Sequence, residues 1–223
     1  MKKIQIALDG PAGAGKSTIA KKISSILGYT YIDTGAMYRA VGLFAVLNGI
    51  DAKDENLLSS RLDEIDIDIL YKDNVQHIIL CGEDVTDKIR TPEISMAASD
   101  VARHRAVRLK LVQLQRLLAE KYDVIMDGRD IGTYVLPNAD IKIFLTAAVE
   151  TRAARRYKEL KEKGENVSLE YVLEDMKKRD LNDSTRDFAP LKKAADAVVI
   201  DTSELDFEQS VQKIYSYITE RLK

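Results

Sequence analysis

The run from Gly10 to Ser17, GPAGAGKS, directly follows a short apolar strand over residues 4–8. It fits the pattern G-x-x-x-x-G-K-[ST], in which glycines let successive backbone N–H groups curl around a phosphate. A helix predicted to begin near Lys16 adds the positive end of its dipole. The alternative, a glycine-rich turn that matches by accident, is disfavoured by the strand before it and the helix after it. The chain is therefore predicted to bind a nucleoside triphosphate.

The same motif predicts roles for single residues. Lys16 is expected to reach the β- and γ-phosphates, and the Ser17 hydroxyl is expected to ligate Mg²⁺. An apolar run that ends in an acid, Val124 to Asp127, often accompanies such a loop and orders the metal shell. Asp127 is thus a candidate for a direct or water-mediated contact with Mg²⁺. The alternative is that this aspartate simply ends a strand.

Composition limits the classes of protein that remain. The chain has 223 residues, a net charge of −2 and one cysteine, Cys81. This length suits one large α/β domain with an insertion, and the charge balance favours neither a nucleic-acid partner nor an anionic membrane. A single cysteine suits a reducing compartment, and the N-terminus lacks an apolar stretch long enough for a signal peptide. We expect a cytoplasmic protein. The sequence does not determine the oligomeric state, and a monomer is the working expectation.

Short apolar segments alternate with helical segments along the chain, which is typical of a parallel sheet with right-handed crossovers. The predicted strands of this sheet are residues 4–8, 29–32, 124–127, 141–145 and 197–200. The predicted helices are residues 17–27, 36–48, one beginning at Thr91, 103–122, 150–163 and 169–180. Residues 164–166 and 182–190 are predicted to be mobile loops.

One region breaks this alternation. Residues 65–70 and 75–80 are rich in Ile and Val and are joined by four polar or aromatic residues, 71–74. This pattern predicts a β-hairpin, with a third strand beginning near Gly82. The region is interpreted as an inserted subdomain.

Acidic residues stand at the ends of three predicted strands, at Asp9, Asp33 and Asp127. Asp and Gly commonly end strands, so one such residue alone indicates little. Because ligands bind at the carboxyl ends of strands in open α/β sheets, the three together predict a site at this edge.

Arginines are dense where phosphates would lie. Three of them, Arg152, Arg155 and Arg156, share one helix face by their spacing. The alternative for any single arginine is a solvated surface position. A guanidinium fork matches phosphate geometry, however, and phosphoryl transfer needs several positive groups around its transition state. The others are Arg39, Arg103, Arg105, Arg108, Arg129, Arg179 and Arg186.

The chain resembles the bacterial cytidylate kinases, which are nucleoside-monophosphate kinases for CMP and dCMP. The resemblance covers essentially the whole chain, and the segments DTGAMYR and DGRDIGT distinguish it from adenylate kinases. It is carried by GPAGAGKST (10–18), YIDTGAMYRA (31–40), IRTPEIS (89–95), DGRDIGT (127–133) and KKRDLNDSTR (177–186).

The resemblance implies a P-loop NTPase fold, a three-layer α/β/α arrangement around a central five-stranded parallel sheet. It implies one kinase domain over residues 1–223. The core would comprise about 1–59 and 96–223, with a small β-containing monophosphate-binding insert over about 60–95 and a helical lid over about 150–190.

The resemblance also implies residue roles. The ATP phosphates would be held by Gly10, Pro11, Ala12, Gly13, Ala14, Gly15, Lys16, Ser17 and Thr18. Catalysis would depend on Lys16, Arg129, Arg152, Arg156 and Arg186, and the lid closing over ATP would contain Arg152, Arg155 and Arg156. The acceptor would be bound by Thr34 and Tyr38 lining the pocket, Arg39, Arg129 and Arg186 at its phosphate, Ser99, Arg108 and Asp130 at cytosine, and Arg179 and Asp183 at the sugar.

The implied base contacts agree with the chemistry of cytosine. Its N4 amine is a donor that the Asp130 carboxylate can accept, and its O2 and N3 acceptors suit Arg108 and Ser99. Uracil presents O4 instead, which would face the carboxylate without a proton to share. The alternative is that Asp130 is structural and pairs with a neighbouring arginine.

The expected reaction is transfer of the ATP γ-phosphate to CMP or dCMP, giving ADP and CDP or dCDP. Mg²⁺ would bridge the β- and γ-phosphates. No protein general base is expected, because the acceptor phosphate oxygen is already anionic. The alternatives are a kinase for UMP, AMP or a non-nucleotide such as shikimate, and a nucleotide-dependent switch acting on a protein partner. A guanine-reading N-K-x-D stretch is absent from the sequence.

Overall fold

A computed structural model of the protein describes residues 2–72, 75–162 and 164–222. The strands are β1 (Gln5–Asp9), β2 (Thr30–Asp33), β3 (Ile67–Lys72), β4 (Val75–Leu80), β5 (Glu83–Asp84), β6 (Val124–Gly128), β7 (Ile141–Thr146) and β8 (Val198–Asp201). The α-helices are α1 (Lys16–Leu27), α2 (Thr34–Leu47), α3 (Glu55–Ser60), α4 (Pro92–Val101), α5 (Arg105–Lys121), α6 (Val149–Glu162), α7 (Leu169–Thr185) and α8 (Phe207–Arg221).

The main sheet has five parallel strands in the order β2-β6-β1-β7-β8. Side chains alternate between its two faces, as the pleat requires. Ile6 and Leu8 of β1 pack in one cluster with residues of α1 and α8, whereas Ala7 between them packs in another with Val112 of α5. Helices therefore cover both faces, and the predicted three-layer architecture with a five-stranded parallel sheet is confirmed.

The strand register brings the candidate site residues to one edge. Asp9 at the end of β1 pairs with Gly128 of β6, and Asp33 at the end of β2 pairs with Asp127. All three acids predicted at strand ends therefore lie at the carboxyl edge of the sheet.

A second, antiparallel sheet has the order β3-β4-β5, as the hairpin pattern predicts. Its inward face, including Ile67, Ile78 and Leu80, shares a buried cluster with α2 and α4. Tyr71 and Lys72 belong to β3, so the prediction that they are part of the connecting turn is wrong. Asp73 and Asn74 lie outside the described residues, and the division of the chain into core, insert and lid stays a prediction.

Two further predictions about the last third of the chain need correction. Residues 182–185 were expected in a loop, but α7 continues to Thr185, and the Ser184 and Thr185 hydroxyls donate back to carbonyls of that helix. Helix α8 was not predicted, although Asp206 and Gln209 form a capping box and Val211, Ile214 and Ile218 form its buried stripe. No helix in the described ranges has the length and apolar character needed to cross a bilayer.

Candidate active site

The loop between β1 and α1 has the backbone geometry that its glycines predict. Gly10, Gly13 and Gly15 have φ angles of 149°, 72° and 88°. A Cβ atom at Gly10 would lie 1.9 Å from the Leu145 carbonyl oxygen, so only glycine fits there. The three glycines therefore allow the main chain to take the curled path of a phosphate loop, in which N–H groups bind an anion together with the start of a helix.

Lys16 is buried beneath this loop. Its Nζ donates to the Pro11 carbonyl at 2.6 Å. Burial, followed by the nearby positive charge of Arg129, lowers the pKa of Lys16 to about 7, although Asp127 and Asp183 oppose the shift. A lysine held in this way gains its full charge when an anion arrives beside it.

Asp127 links the loop to the end of β2. Its carboxylate accepts from Ser17 Oγ at 2.8 Å and from the Tyr31 hydroxyl at 2.8 Å. Thr34 Oγ1 donates to the Asp127 carbonyl at 2.7 Å. Burial and then the charge of Asp33 raise the pKa of Asp127, while Lys16 and the two hydroxyls hold it down. The pair Ser17–Asp127 offers oxygen ligands of the kind that Mg²⁺ prefers.

Asp9 is a structural carboxylate. It accepts from the backbone N–H groups of Ile131 and Gly132, both at 2.7 Å, and so fixes the segment that follows Arg129 and Asp130. Burial raises the pKa of Asp9 to about 6, against the opposing effect of these two hydrogen bonds.

Asp33 organises the start of α2. Its Oδ1 caps the helix by accepting from Ala36 N at 2.9 Å, and its Oδ2 accepts from Arg39 Nη2 at 2.9 Å. Arg39 is one turn into the helix, which puts its guanidinium above the end of β2. The strand-end acid thus fixes the position of an arginine.

The centre of the cleft contains a buried cluster of ion pairs. Asp130 pairs with Arg108 and also with Arg186, whose Nη2 lies 3.3 Å from Asp130 Oδ1. The Arg108 guanidinium lies 5.3 Å from the centre of the Tyr38 ring. Arg186 Nε is anchored to the Ala189 carbonyl at 2.6 Å. Asp130 therefore pairs with two arginines that are remote from it in the sequence.

A second ion pair joins the residue that follows β6 to α7, because Arg129 Nε donates to Asp183 Oδ2 at 2.6 Å. Burial alone would raise the pKa of Asp183, but Arg129, Arg186 and Arg179 lower it overall. Burial and the charge of Arg129 lower the pKa of Arg179. The cleft thus gathers the guanidinium groups of Arg108, Arg129, Arg179 and Arg186 against the carboxylates of Asp130 and Asp183. This excess of positive charge suits an anionic ligand.

Several buried polar atoms in the cleft have no hydrogen-bond partner. Most buried polar groups in native proteins are satisfied, so each exception calls for an explanation. Among the described residues, four of the unpartnered atoms belong to side chains of residues that line the cleft: Tyr38 Oη, Arg39 Nε, Ser99 Oγ and Arg108 Nε. All four belong to residues predicted to bind the acceptor.

The predicted lid arginines differ in their contacts. Arg152 is buried and donates to the Ala147 and Ala12 carbonyls and to Asp180, at 2.9, 3.0 and 2.7 Å. Arg156 lines the cleft and pairs with Glu159. Arg155 lines it too and donates to the Thr202 carbonyl at 2.7 Å. Of the three, Arg152 is the one that holds the phosphate loop itself.

A family model described as Cytidylate kinase matches residues 6–220. The cytidylate kinase of Caldicellulosiruptor bescii is 58% identical over 214 residues, which are 96% of this chain and 95% of that protein. The cytidylate kinase of Halalkalibacterium halodurans is 50% identical over 222 residues, 100% of both chains. The chain belongs to the cytidylate kinase family. The predicted family and the predicted enzyme class, a kinase, are confirmed.

The solved structure of shikimate kinase from Bacteroides thetaiotaomicron aligns with a TM-score of 0.50 at 14% identity, covering 97% of this chain and 98% of that one. At this identity the likeness concerns the fold alone. It agrees with the layered parallel sheet described above.

In this member of the cytidylate kinase family, one cleft of about 620 Å³ brings most of the predicted site residues together. Gly10, Pro11 and Arg152 are not among its lining residues. Gly10 and Pro11 begin the loop, and Arg152 donates to the Ala12 carbonyl within it. The predicted residues that line it are Ala12, Gly13, Ala14, Gly15, Lys16, Ser17, Thr18, Thr34, Tyr38, Arg39, Ser99, Arg108, Asp127, Arg129, Asp130, Arg155, Arg156, Arg179, Asp183 and Arg186.

Other residues of the site were not predicted. Thr202, Leu205 and Phe207 line the end of the cleft next to the phosphate loop, and Asp180 holds Arg152. The rule that ligands lie at the carboxyl ends of strands, applied to the predicted strand 197–200, would have pointed to Thr202. No sequence pattern indicates the role of Asp180, because its contact with Arg152 depends on how α6 and α7 pack together.

Proposed function

We propose that this chain transfers the γ-phosphate of ATP to CMP or dCMP, forming ADP and CDP or dCDP. The observation that carries the proposal is the set of four unpartnered polar atoms in residues that line a cleft, which is rich in arginine and includes the phosphate loop. A nucleoside monophosphate would satisfy these atoms, since it offers a dianionic phosphate and a base edge with several acceptors.

At the acceptor end, we assign Arg39, Arg129 and Arg186 to the monophosphate and Arg179 with Asp183 to the sugar. Thr34 and Tyr38 would line the pocket. Asp130 would accept from the cytosine N4 amine, while Arg108 and Ser99 would donate to O2 and N3. A carboxylate has about four lone-pair sites, so Asp130 can keep its two arginine partners and still accept from the base.

At the donor end, we assign the ATP phosphates to residues 10–18, with Lys16 at the β- and γ-phosphates. Mg²⁺, when bound, would neutralise charge on the transferring group. Ser17 and Asp127 would hold it together with the ATP phosphates, an arrangement that Mg²⁺ commonly adopts. Arg156 and Arg186 would stabilise negative charge on the moving phosphoryl group. Arg152 would act through the loop carbonyl that it already holds.

The remaining assignments complete the proposal. Residues of about 60–95 would form the acceptor-binding insert, and residues of about 150–190 the lid, on the core of about 1–59 and 96–223. Closure around both substrates would exclude water and suppress hydrolysis of ATP. We expect a cytoplasmic monomer that binds neither nucleic acid nor membranes, on the strength of its composition and charge.

The direct test is ADP formation from ATP and Mg²⁺ with CMP, dCMP, UMP, AMP and shikimate supplied one at a time. We expect rapid turnover with CMP and dCMP and much slower turnover with the others. Preference for a different acceptor would refute the base assignment. Rapid ATP hydrolysis without any acceptor would instead favour a nucleotide-dependent switch.

A further inference from the structure

Two side chains of the β3–β4 hairpin contact the outer edge of the main sheet. In the described part of the chain, β2 pairs only with β6, so its other edge offers unpaired backbone groups. Tyr71 Oη donates to the Tyr31 carbonyl at 3.1 Å, and Gln76 Oε1 accepts from the Asp33 N–H at 2.8 Å. Gln76 Nε2 adds a longer bond of 3.4 Å to the Asp33 carbonyl. Side chains thus take the place of a neighbouring strand.

Gln76 is a polar residue on the otherwise apolar inward face of β4. It shares this face with Ile78 and Leu80, and it is only 7% exposed. Tyr71 lies directly opposite it on β3. A buried amide among aliphatic residues must be hydrogen-bonded to be tolerated, and both ends of this amide are bonded to Asp33. Its hydrogen bonds, rather than its packing, explain its presence there.

Asp33 is the residue whose side chain orients Arg39. The carboxylate has two fixed partners, the N-terminus of α2 and the Arg39 guanidinium. Gln76 holds the backbone from which that carboxylate projects. Arg39 Nε is buried and unpartnered, and its residue lines the cleft. A continuous series of hydrogen bonds therefore connects the hairpin to an arginine that faces the ligand site.

We infer that Gln76 is a positioning residue for the acceptor phosphate, acting through Asp33 on Arg39. The inference rests on the proposed function, because that proposal assigns Arg39 to the acceptor. It adds a residue of the small sheet to the machinery that binds the monophosphate. A displacement of about 1 Å in a phosphate-holding group is enough to cost a large factor in binding or rate.

The test is the variant Gln76→Met, which keeps an unbranched side chain of similar length but makes neither bond. We expect KM for CMP to rise roughly five- to twentyfold while KM for ATP stays within about twofold. His77→Ala is the matched control, because His77 is the next residue, faces the other side and pairs with Asp84 inside the small sheet. Its KM values should match the wild type.

If Gln76 acts through Arg39, its substitution should have little effect once Arg39 is removed. In an Arg39→Ala background, adding Gln76→Met should change KM for CMP by less than about twofold. An unchanged KM for CMP in the single variant would overturn the inference. So would additive effects in the double variant, or equal losses for both substrates with a lowered melting temperature. If Gln76→Met does not fold, Gln76→Asn carries the same test, because it is one methylene too short to reach Asp33.

The wild-type acceptor panel is measured first. If the wild type prefers another acceptor, the proposed function fails, and the variants are then measured with that acceptor. The inference about Gln76 is decided by the KM for the preferred acceptor, so the two failures are distinguishable.

Discussion

The two ends of the cleft differ in the groups that they offer to the anions assigned to them in the proposed function. At the phosphate loop, the groups proposed to bind the ligand are main-chain N–H groups of one continuous segment, shaped by glycines with positive φ angles. At the arginine-rich end, the lining side chains come from α2, α4, α5 and α7 and from the segments that directly follow β6 and α7. The first end is largely built by local sequence, and the second exists only when distant elements pack together. Substitutions should therefore act differently at the two ends.

The largest expected effect is at the loop. Lys16→Met should leave the fold intact and lower kcat by roughly 10²–10³-fold, because a buried positive group beside developing negative charge contributes several kcal/mol to the transition state. The measurement is steady-state ADP formation together with a circular dichroism melt. Near-normal turnover of the folded variant would refute the assignment of the loop.

The next effect concerns base selection at the other end. Asp130→Asn should lower kcat/KM for CMP by at least about tenfold and narrow the preference for CMP over UMP, since an amide can donate to uracil O4. Asp183→Asn is the control, because a sugar contact serves both substrates equally. The measurement is kcat/KM for both acceptors with both variants.

The structure also defines how that prediction could fail. Asp130 pairs with Arg108 and Arg186, so removing its charge disturbs two buried cations. Proportional losses for CMP and UMP, with a lower melting temperature, would identify Asp130 as structural only.

A smaller effect is expected when the support of the phosphate loop is weakened, and it should appear in KM for ATP but not in KM for CMP. Asp180→Asn weakens the ion pair that holds Arg152, which in turn holds the Ala12 carbonyl. We expect KM for ATP to rise roughly three- to tenfold and KM for CMP to stay unchanged. Glu174→Gln on the same helix is the control, because Glu174 pairs with Lys177 on the exposed face. Equal changes in both KM values would contradict this division.

The smallest effect is a pH dependence confined to the loop. The pKa of Lys16 is lowered to about 7, so above that pH the free protein holds a largely neutral lysine. ATP favours the charged form, so binding at pH 8 should take up most of one proton. Calorimetry in buffers of different ionisation enthalpy measures the uptake. Lys16→Met should lack this uptake, and equal uptake by both proteins would exclude Lys16 as its source.

Much of the fold was predictable because its signals are local. The apolar strands of the main sheet, and the glycines and caps that bound its flanking helices, can be identified from neighbouring residues. All five strands predicted for this sheet form. Helix α8 was missed even though its Asp206 capping box is a sequence signal. The continuation of α7 to Thr185 was missed for a different reason: back-bonding hydroxyls sustain it, while its composition is typical of a loop.

In the candidate site, too, the features that depend on local sequence were predictable and those that depend on packing were not. A phosphate-binding role for residues 10–18 could be predicted from the chain alone, because one segment supplies both the loop and the helix N-terminus. The charge state and the hydrogen bonds of those residues could not be predicted in the same way. The lowered pKa of Lys16, for example, arises from burial and from Arg129, over 100 residues away. The family resemblance predicted which residues bind the acceptor, but the ion pairs that these residues form could not be predicted from the sequence.

The sequence alone determined the parallel sheet, the phosphate loop and the family, because periodicity and motif are properties of contiguous residues. Only the tertiary structure decided which arginines hold carboxylates and which polar atoms remain for a ligand. It also decided that Gln76 contacts Asp33, 43 positions away. These features depend on distances between segments that are remote in the chain, and a side chain acquires its partner only when packing removes water from both.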